Sequence, residues 1–212
     1  MAGKVKRPNR RSEQAAETRR RVVSAAAQLF QERGYATTSM VSIADAAGVA
    51  PETIYKAFGT KRRILQDVID SSVVGTTSAS PVPVLRSATF QAIRAEPDQR
   101  RRVAMLAHLT RTILERAGPI HAVIRSAAAT DPDIAALRLE QQAYRLKAQI
   151  EFVRVVAEAG PLRPGLTLKE AGYQYWILAT PEIQHILVTE QGWSQDRYES
   201  WLRATLEAVL LP

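Results

Sequence analysis

The stretch from Thr37 to Leu65, TTSMVSIADAAGVAPETIYKAFGTKRRIL, leaves the backbone few options. Ile43, Ala44, Ala46 and Ala47 give a short helix a small apolar face, and Gly48 can take the positive φ that stops it. Val49 plugs the turn. Pro51 suits the first position of the next helix, because its φ is already helical and its missing N–H would have no partner there. In PETIYKAF, Ile54 and Phe58 lie four apart and turn inward, leaving Glu52, Thr53, Tyr55 and Lys56 around the other faces. Gly59 ends this helix and Thr60 caps the next. Lys61, Arg62 and Arg63 then occupy a first turn whose dipole they oppose, so contact with phosphate is the expected reason for them.

Two short helices across a glycine turn, the second with a polar outer face, form a helix-turn-helix pattern whose second helix enters a major groove. A plain three-helix unit would carry similar punctuation. The segment resembles the DNA-binding region of the TetR family of bacterial repressors, through Gly34, Tyr35, Thr38, Ile43, Ala44, Ala47, Gly48, Val49, Ile54, Tyr55, Phe58, Thr60 and Lys61. The resemblance implies that Thr38 and Ser39 start the first helix of the motif and touch the DNA backbone. It also implies that Pro51, Glu52, Thr53 and Lys56 lie on or beside the groove-facing surface, with Tyr55 and Lys61 on phosphates. Glu52 departs from the small residue usual in the family; it could accept from a cytosine N4 or serve only the helix dipole. Lys56 replaces an aromatic residue or histidine, so operator preference does not transfer.

Charge supports a nucleic-acid-binding end. The net charge is +8, and residues 1–63 hold 13 Lys/Arg against 5 Asp/Glu, so the rest of the chain balances at zero. Lys4, Lys6, Arg7, Arg10 and Arg11 contribute, yet the segment stays positive without them. The absence of cysteine excludes disulfides and thiolate chemistry. His108, His121 and His185 are scattered, without a metal-ligand spacing, a phosphate loop or a nucleophile elbow, so neither an enzyme nor a cofactor or metal is expected. No apolar run approaches the ~20 residues of a membrane span, and no leader-like core precedes the basic start, so a cytoplasmic, nucleoid-associated protein is expected.

In order, residues 1–11 read as a disordered basic arm. Val22, Ala26, Leu29 and Phe30 trace a helix from about Ser12 to Arg33, and Arg19, Arg20 and Arg21 in its middle are expected to face solvent or phosphate. Ile64, Leu65, Val68 and Ile69 carry a helix to about Val74. GTTSASPVP, residues 75–83, reads as a loop and domain boundary. Residues 84–95 could form a helix with Leu85, Ala88, Thr89 and Ala92 inward. A long helix then runs to a break at Gly118-Pro119, and Asp131-Pro132 opens what should be the longest helix of the body. A Thr167–Glu170 capping box, Thr180-Pro181 and Ser194 start the later helices. The fold class is all-α, with about nine or ten helices.

The resemblance divides the chain into the arm (1–11), a helix-turn-helix domain (12–59), a connecting helix (60–74) acting as lever, and a ligand-binding and dimerisation domain (75–212). It implies a homodimer on a palindromic DNA operator, paired through Ile183, Leu187, Tyr198, Trp201, Leu202 and Leu206. On pattern alone, that last stripe could equally be core of its own chain. The implied small-molecule inducer is of unknown identity and mixed apolar character, with Met105, His108, Thr112 and Tyr144 as candidate lining or as ordinary core and surface. A sequence-independent architectural DNA-binding protein is the alternative, since the basic end alone would serve it.

Overall fold

The computed structural model describes residues 10–75 and 84–212, and every regular element among them is helical. The expected basic arm lies outside the described residues up to position 9, and the expected loop does so from 76 to 83. The chain packs as two compact units, the first ending at Ser71, the second taking Ser72–Gly75 and the chain from Val84 onward.

The first unit is built from α1 (Arg10–Arg33), α2 (Met40–Ala47), α3 (Pro51–Phe58) and most of α4 (Lys61–Val74). Val22, Ala26 and Phe30 of α1 are fully buried, as are Ile43 and Ala44 of α2, Ile54 of α3, and Ile64 and Leu65 of α4. Each helix therefore contributes one stripe to a single small core. The Phe30 ring lies 5.4 Å from that of Tyr35, which closes the core beneath the α1–α2 loop.

In the second unit, a 3₁₀ turn (Val84–Arg86) leads to α5 (Ala88–Ala95), α6 (Gln99–Ala127), α7 (Pro132–Glu158), α8 (Leu168–Leu178) and α9 (Pro181–Gln184). α9 runs on into a π-helical turn (His185–Glu190), and α10 (Gln195–Leu210) follows. Side chains cap the starts as the sequence implies: Ile134 N donates to Asp131 Oδ1 at 3.2 Å, Glu170 N to Thr167 Oγ1 at 3.2 Å, and Arg197 N to Ser194 Oγ at 3.1 Å. The core joins Phe90, Leu106, Phe152, Tyr175, Tyr198, Leu202 and Leu206. At Gly172 a Cβ would lie 2.4 Å from Ile150 Cγ1 and 3.2 Å from Ile150 Cα, so only glycine lets α8 approach α7 this closely.

Three expectations are corrected. α6 does not break at Gly118-Pro119 but runs through it to Ala127 and is, at 29 residues, longer than α7 at 27. Leu114, Ala117, Ile120, Ile124 and Ala127 form one buried stripe across the proline, and their packing outweighs the one helical hydrogen bond it removes. In α5 the inward residues are Phe90 and Ile93, while Ala88, Thr89 and Ala92 are exposed, because the bulkier side chains gain more from burial.

Tyr175 shows how a polar group is accommodated here. Its hydroxyl donates to Leu106 O at 3.2 Å and lies 2.7 Å from Thr110 Oγ1, and burial pushes the phenol pKa up. Tyr175→Phe is expected to cost about 1–2 kcal/mol, since the Thr110 hydroxyl loses its buried partner. Adding Thr110→Val should restore part of the urea midpoint, whereas equal midpoints in wild type and Tyr175→Phe would show the bond to be inert.

Candidate nucleic-acid interface

The motif is assembled by local rules first. Ser39 caps α2 reciprocally with Ser42: Ser42 N donates to Ser39 Oγ at 3.0 Å, and Ser39 N donates to Ser42 Oγ at 3.1 Å. Gly48 follows in the left-handed region at φ 62°, where a side chain would be strained and a Cβ would lie 2.7 Å from Arg21 Nη2. Arg21 fills that space, donating to Ala47 O at the end of α2 and to Gly48 O just beyond it. Pro51 opens α3, and Gly59 N donates to Tyr55 O at 2.9 Å to close it.

The outer face of α3 is what this scaffold presents. Ile54 and Phe58 anchor the helix inward, while Glu52, Thr53, Tyr55 and Lys56 are exposed and Pro51 is half-buried. Tyr55 is 52% exposed, too much for a residue whose only task is packing. Ser39 stands exposed at the start of α2, and Val41 beside it is 48% exposed, an apolar position that sequence reasoning passed over. Together they form a short ridge of hydroxyl, amine and apolar groups on a rigid two-helix frame.

Thr38 and Lys61 are placed differently from their expected roles on the DNA backbone. Thr38 is buried, and its hydroxyl donates to Gly34 O at 2.8 Å and Leu29 O at 3.3 Å, which locks the turn after α1. Lys61 Nζ donates to Tyr35 O and Thr38 O, both at 2.7 Å, and lies 4.2 Å from the centre of the Tyr35 ring. Its donors thus close the α1–α2 loop. Arg63 pairs with Asp67 at 3.2 Å, Arg19 pairs with the same carboxylate while stacking 4.7 Å over Phe58, and Arg20 pairs with Glu17. Lys61 and Arg63, and likewise Arg19, Arg20 and Arg21, thus each have an intramolecular partner.

In the second unit, the four candidate lining residues do not converge. Met105 packs against the core and Thr112 is half-buried, while Tyr144 is 52% exposed and His108 lies on the surface with its Nδ1 3.1 Å from Glu199 Oε2. Of the six expected dimer residues, Tyr198, Leu202 and Leu206 are buried within their own chain, so the stripe of α10 is mainly core. Ile183, Leu187 and Trp201 are only partly covered, and Tyr173, Ile177 and Ile186 are exposed. Among the described residues no helix is long and apolar enough to cross a membrane, and no cluster of three or more His, Asp or Glu could hold a metal.

A capped α2, a left-handed glycine turn and an α3 with an exposed polar face form a helix-turn-helix, the motif whose second helix is shaped to enter a major groove. The family model described as bacterial regulatory proteins, tetR family, matches residues 22–68. The chain is 40% identical over 62 residues to the HTH-type transcriptional regulator TtgR of Pseudomonas putida, covering 29% of this chain and 30% of the relative. It is 47% identical over 49 residues to HbdR of Aromatoleum, covering 23% and 21%. The matched segments thus span less than a third of these curated relatives. In structure the chain is similar to NalD, the secondary repressor of the MexAB-OprM multidrug efflux pump in Pseudomonas aeruginosa, with a TM-score of 0.67 at 21% identity over 96% of this chain and 98% of that one. Residues 22–68 thus carry the DNA-binding segment of the tetR family model, on a chain whose overall fold is similar to that of NalD.

Proposed function

We propose that the protein is a sequence-specific transcriptional regulator, a repressor that binds a palindromic operator as a homodimer and is released by a small-molecule inducer. The exposed polar face of α3, held on a fully buried Ile54, is the observation that carries this reading. Thr53 and Lys56 are the base-reading candidates, Tyr55 and Ser39 the phosphate contacts, and Thr38 and Lys61 set the loop that aims them. Glu52, in the first turn of α3, favours the helix dipole. Two such helices in a two-fold dimer would read half-sites about one helical turn, ~34 Å, apart. The partly covered Ile183, Leu187 and Trp201, with exposed Tyr173, Ile177 and Ile186, are the apolar surface we assign to the dimer. Arg116 of α6 donates to Ser72 O at 3.2 Å and Val73 O at 3.1 Å, so the last residues of α4 are capped within the second unit, which suits a lever role for that helix.

Selection of bound sequences from a random duplex pool at about 150 mM salt tests the proposal. Recovery of one palindrome by a dimer is expected. Tyr55→Phe should weaken binding to every sequence by about tenfold, while Thr53→Ala should lose about 1–3 kcal/mol of discrimination at one base position. Enrichment of no sequence, with binding that vanishes as salt rises, would replace the regulator by an architectural protein.

A further inference from the structure

The second unit as a whole is electrically balanced, but its charges are not evenly placed. His121 and Arg125 of α6, Arg138 and Arg145 of α7, and Glu182 of α9 come together around a cavity of about 20 Å³ lined by His121, Ile124, Arg138, Arg145, Pro181 and Glu182. That volume suits a water or a small polar head group rather than a whole drug-sized molecule. Glu182 Oε1 lies 3.8 Å from Arg125 Nη1 and 3.8 Å from Arg138 Nη2, beyond hydrogen-bonding range of both. One carboxylate thus stands among three guanidinium groups and closes onto none of them.

Arg145 is the most confined of the three. It donates to Ala179 O at 2.8 Å, and burial lowers its pKa to about 10 against the opposing pull of Glu182. Burial, with the nearby Arg145 charge, also lowers His121 to about 4, so that ring is neutral at pH 7. The Tyr198 hydroxyl, outside the cavity lining but close enough to feel the Arg145 charge, is buried and has no hydrogen-bond partner among the described residues. Arg125, Arg138 and Glu182 keep 39%, 40% and 41% of their side-chain surface, so the cluster opens to solvent, and its one carboxylate leaves a net positive charge among the three guanidinium groups.

We propose that this cavity binds the carboxylate group of a small organic acid, with Arg138 and Arg145 as its cationic partners. The bond to Ala179 O fixes the Arg145 guanidinium plane, so its remaining N–H groups meet a carboxylate with little loss of freedom. Neutral His121 adds a hydrogen-bonding ring without adding a charge that an entering acid would have to displace. Ile124 and Pro181 give the first carbons of the acid an apolar wall, and the rest of the molecule lies toward the opening. That the acid is the inducer rests on the regulatory reading above.

The test uses the full chain without DNA, by calorimetric titration and thermal shift with acetate and benzoate, against acetamide and benzamide as neutral counterparts and sulfate and phosphate as inorganic anions. At least one acid should bind and raise Tm while its amide does neither. Arg138→Gln, at the rim, should weaken binding at least tenfold, and Arg145→Lys, which keeps the charge but loses the fork, should do the same with an unchanged circular dichroism spectrum. No response to either acid, an equal response to the amides, or an unaltered affinity in Arg138→Gln would overturn the site. A response to sulfate as strong as to benzoate would overturn the organic acid. Operator selection does not depend on these readouts, so failure here and failure of the DNA-binding reading are separable.

Discussion

Phe30→Ala is expected to unfold the first unit at temperatures where the wild type is folded, and to abolish DNA binding with it. Phe30 is fully buried against Tyr35, and its truncation removes a large apolar side chain and leaves a cavity that the surrounding helices cannot close. Such a change costs about 3–5 kcal/mol. A unit of this size buries a modest share of its surface, so that loss is a large fraction of its stability. Denaturation followed by circular dichroism, alongside binding to a selected operator, checks this. Retained binding with a midpoint shift below about 1 kcal/mol would mean that the helix-turn-helix is held by something other than this core.

Acid is expected to destabilise the second unit through His121. Its folded pKa is about 4 against an ordinary 6.5, because burial and the Arg145 charge disfavour the imidazolium. The unfolded chain therefore takes up the proton first. The stability in question is fully present above pH 6.5, falls as the pH drops from 6.5 toward 4, and is gone below that. The shift corresponds to roughly 3 kcal/mol across the whole window. Urea midpoints at pH 7 and pH 5 should separate in the wild type by clearly more than in His121→Gln, which carries no titrating ring. Identical pH dependence in the two would remove His121 as the cause.

The helix-turn-helix was legible because its signals are local. Gly48 permits a left-handed stop, Pro51 fits a first helical position, and Ile54 and Phe58 share a face by spacing alone. The same holds for the caps at Asp131, Thr167 and Ser194, whose partners lie within three residues. Long side chains were not legible in this way. Lys61 reaches carbonyls 26 and 23 residues earlier in the chain, and Arg21 reaches one 26 residues later. A basic residue in a first helical turn gives no sign in the sequence of the distant carbonyls it satisfies. The Thr38 hydroxyl turns inward to Gly34 O and Leu29 O, which its place before the first helix of the motif does not indicate.

Periodicity likewise specified that a face is apolar, without specifying what covers it. The stripe of Tyr198, Leu202 and Leu206 suits a partner subunit as well as its own core, and only the packing of α10 assigns it to the core. Pro119 reads as a stop, yet the buried stripe on either side of it carries α6 through. The cavity lies further from any local rule, since its arginines and histidine come from α6 and α7 and its carboxylate from α9. By itself, then, the sequence determined the helices, their caps, the glycine turn and the exposed face of α3, all of which depend on neighbours a few residues away. The tertiary structure alone decided which cations turn inward, which apolar stripes are core, and where positive charge gathers around one small cavity. Those outcomes depend on groups that meet only after the chain has folded.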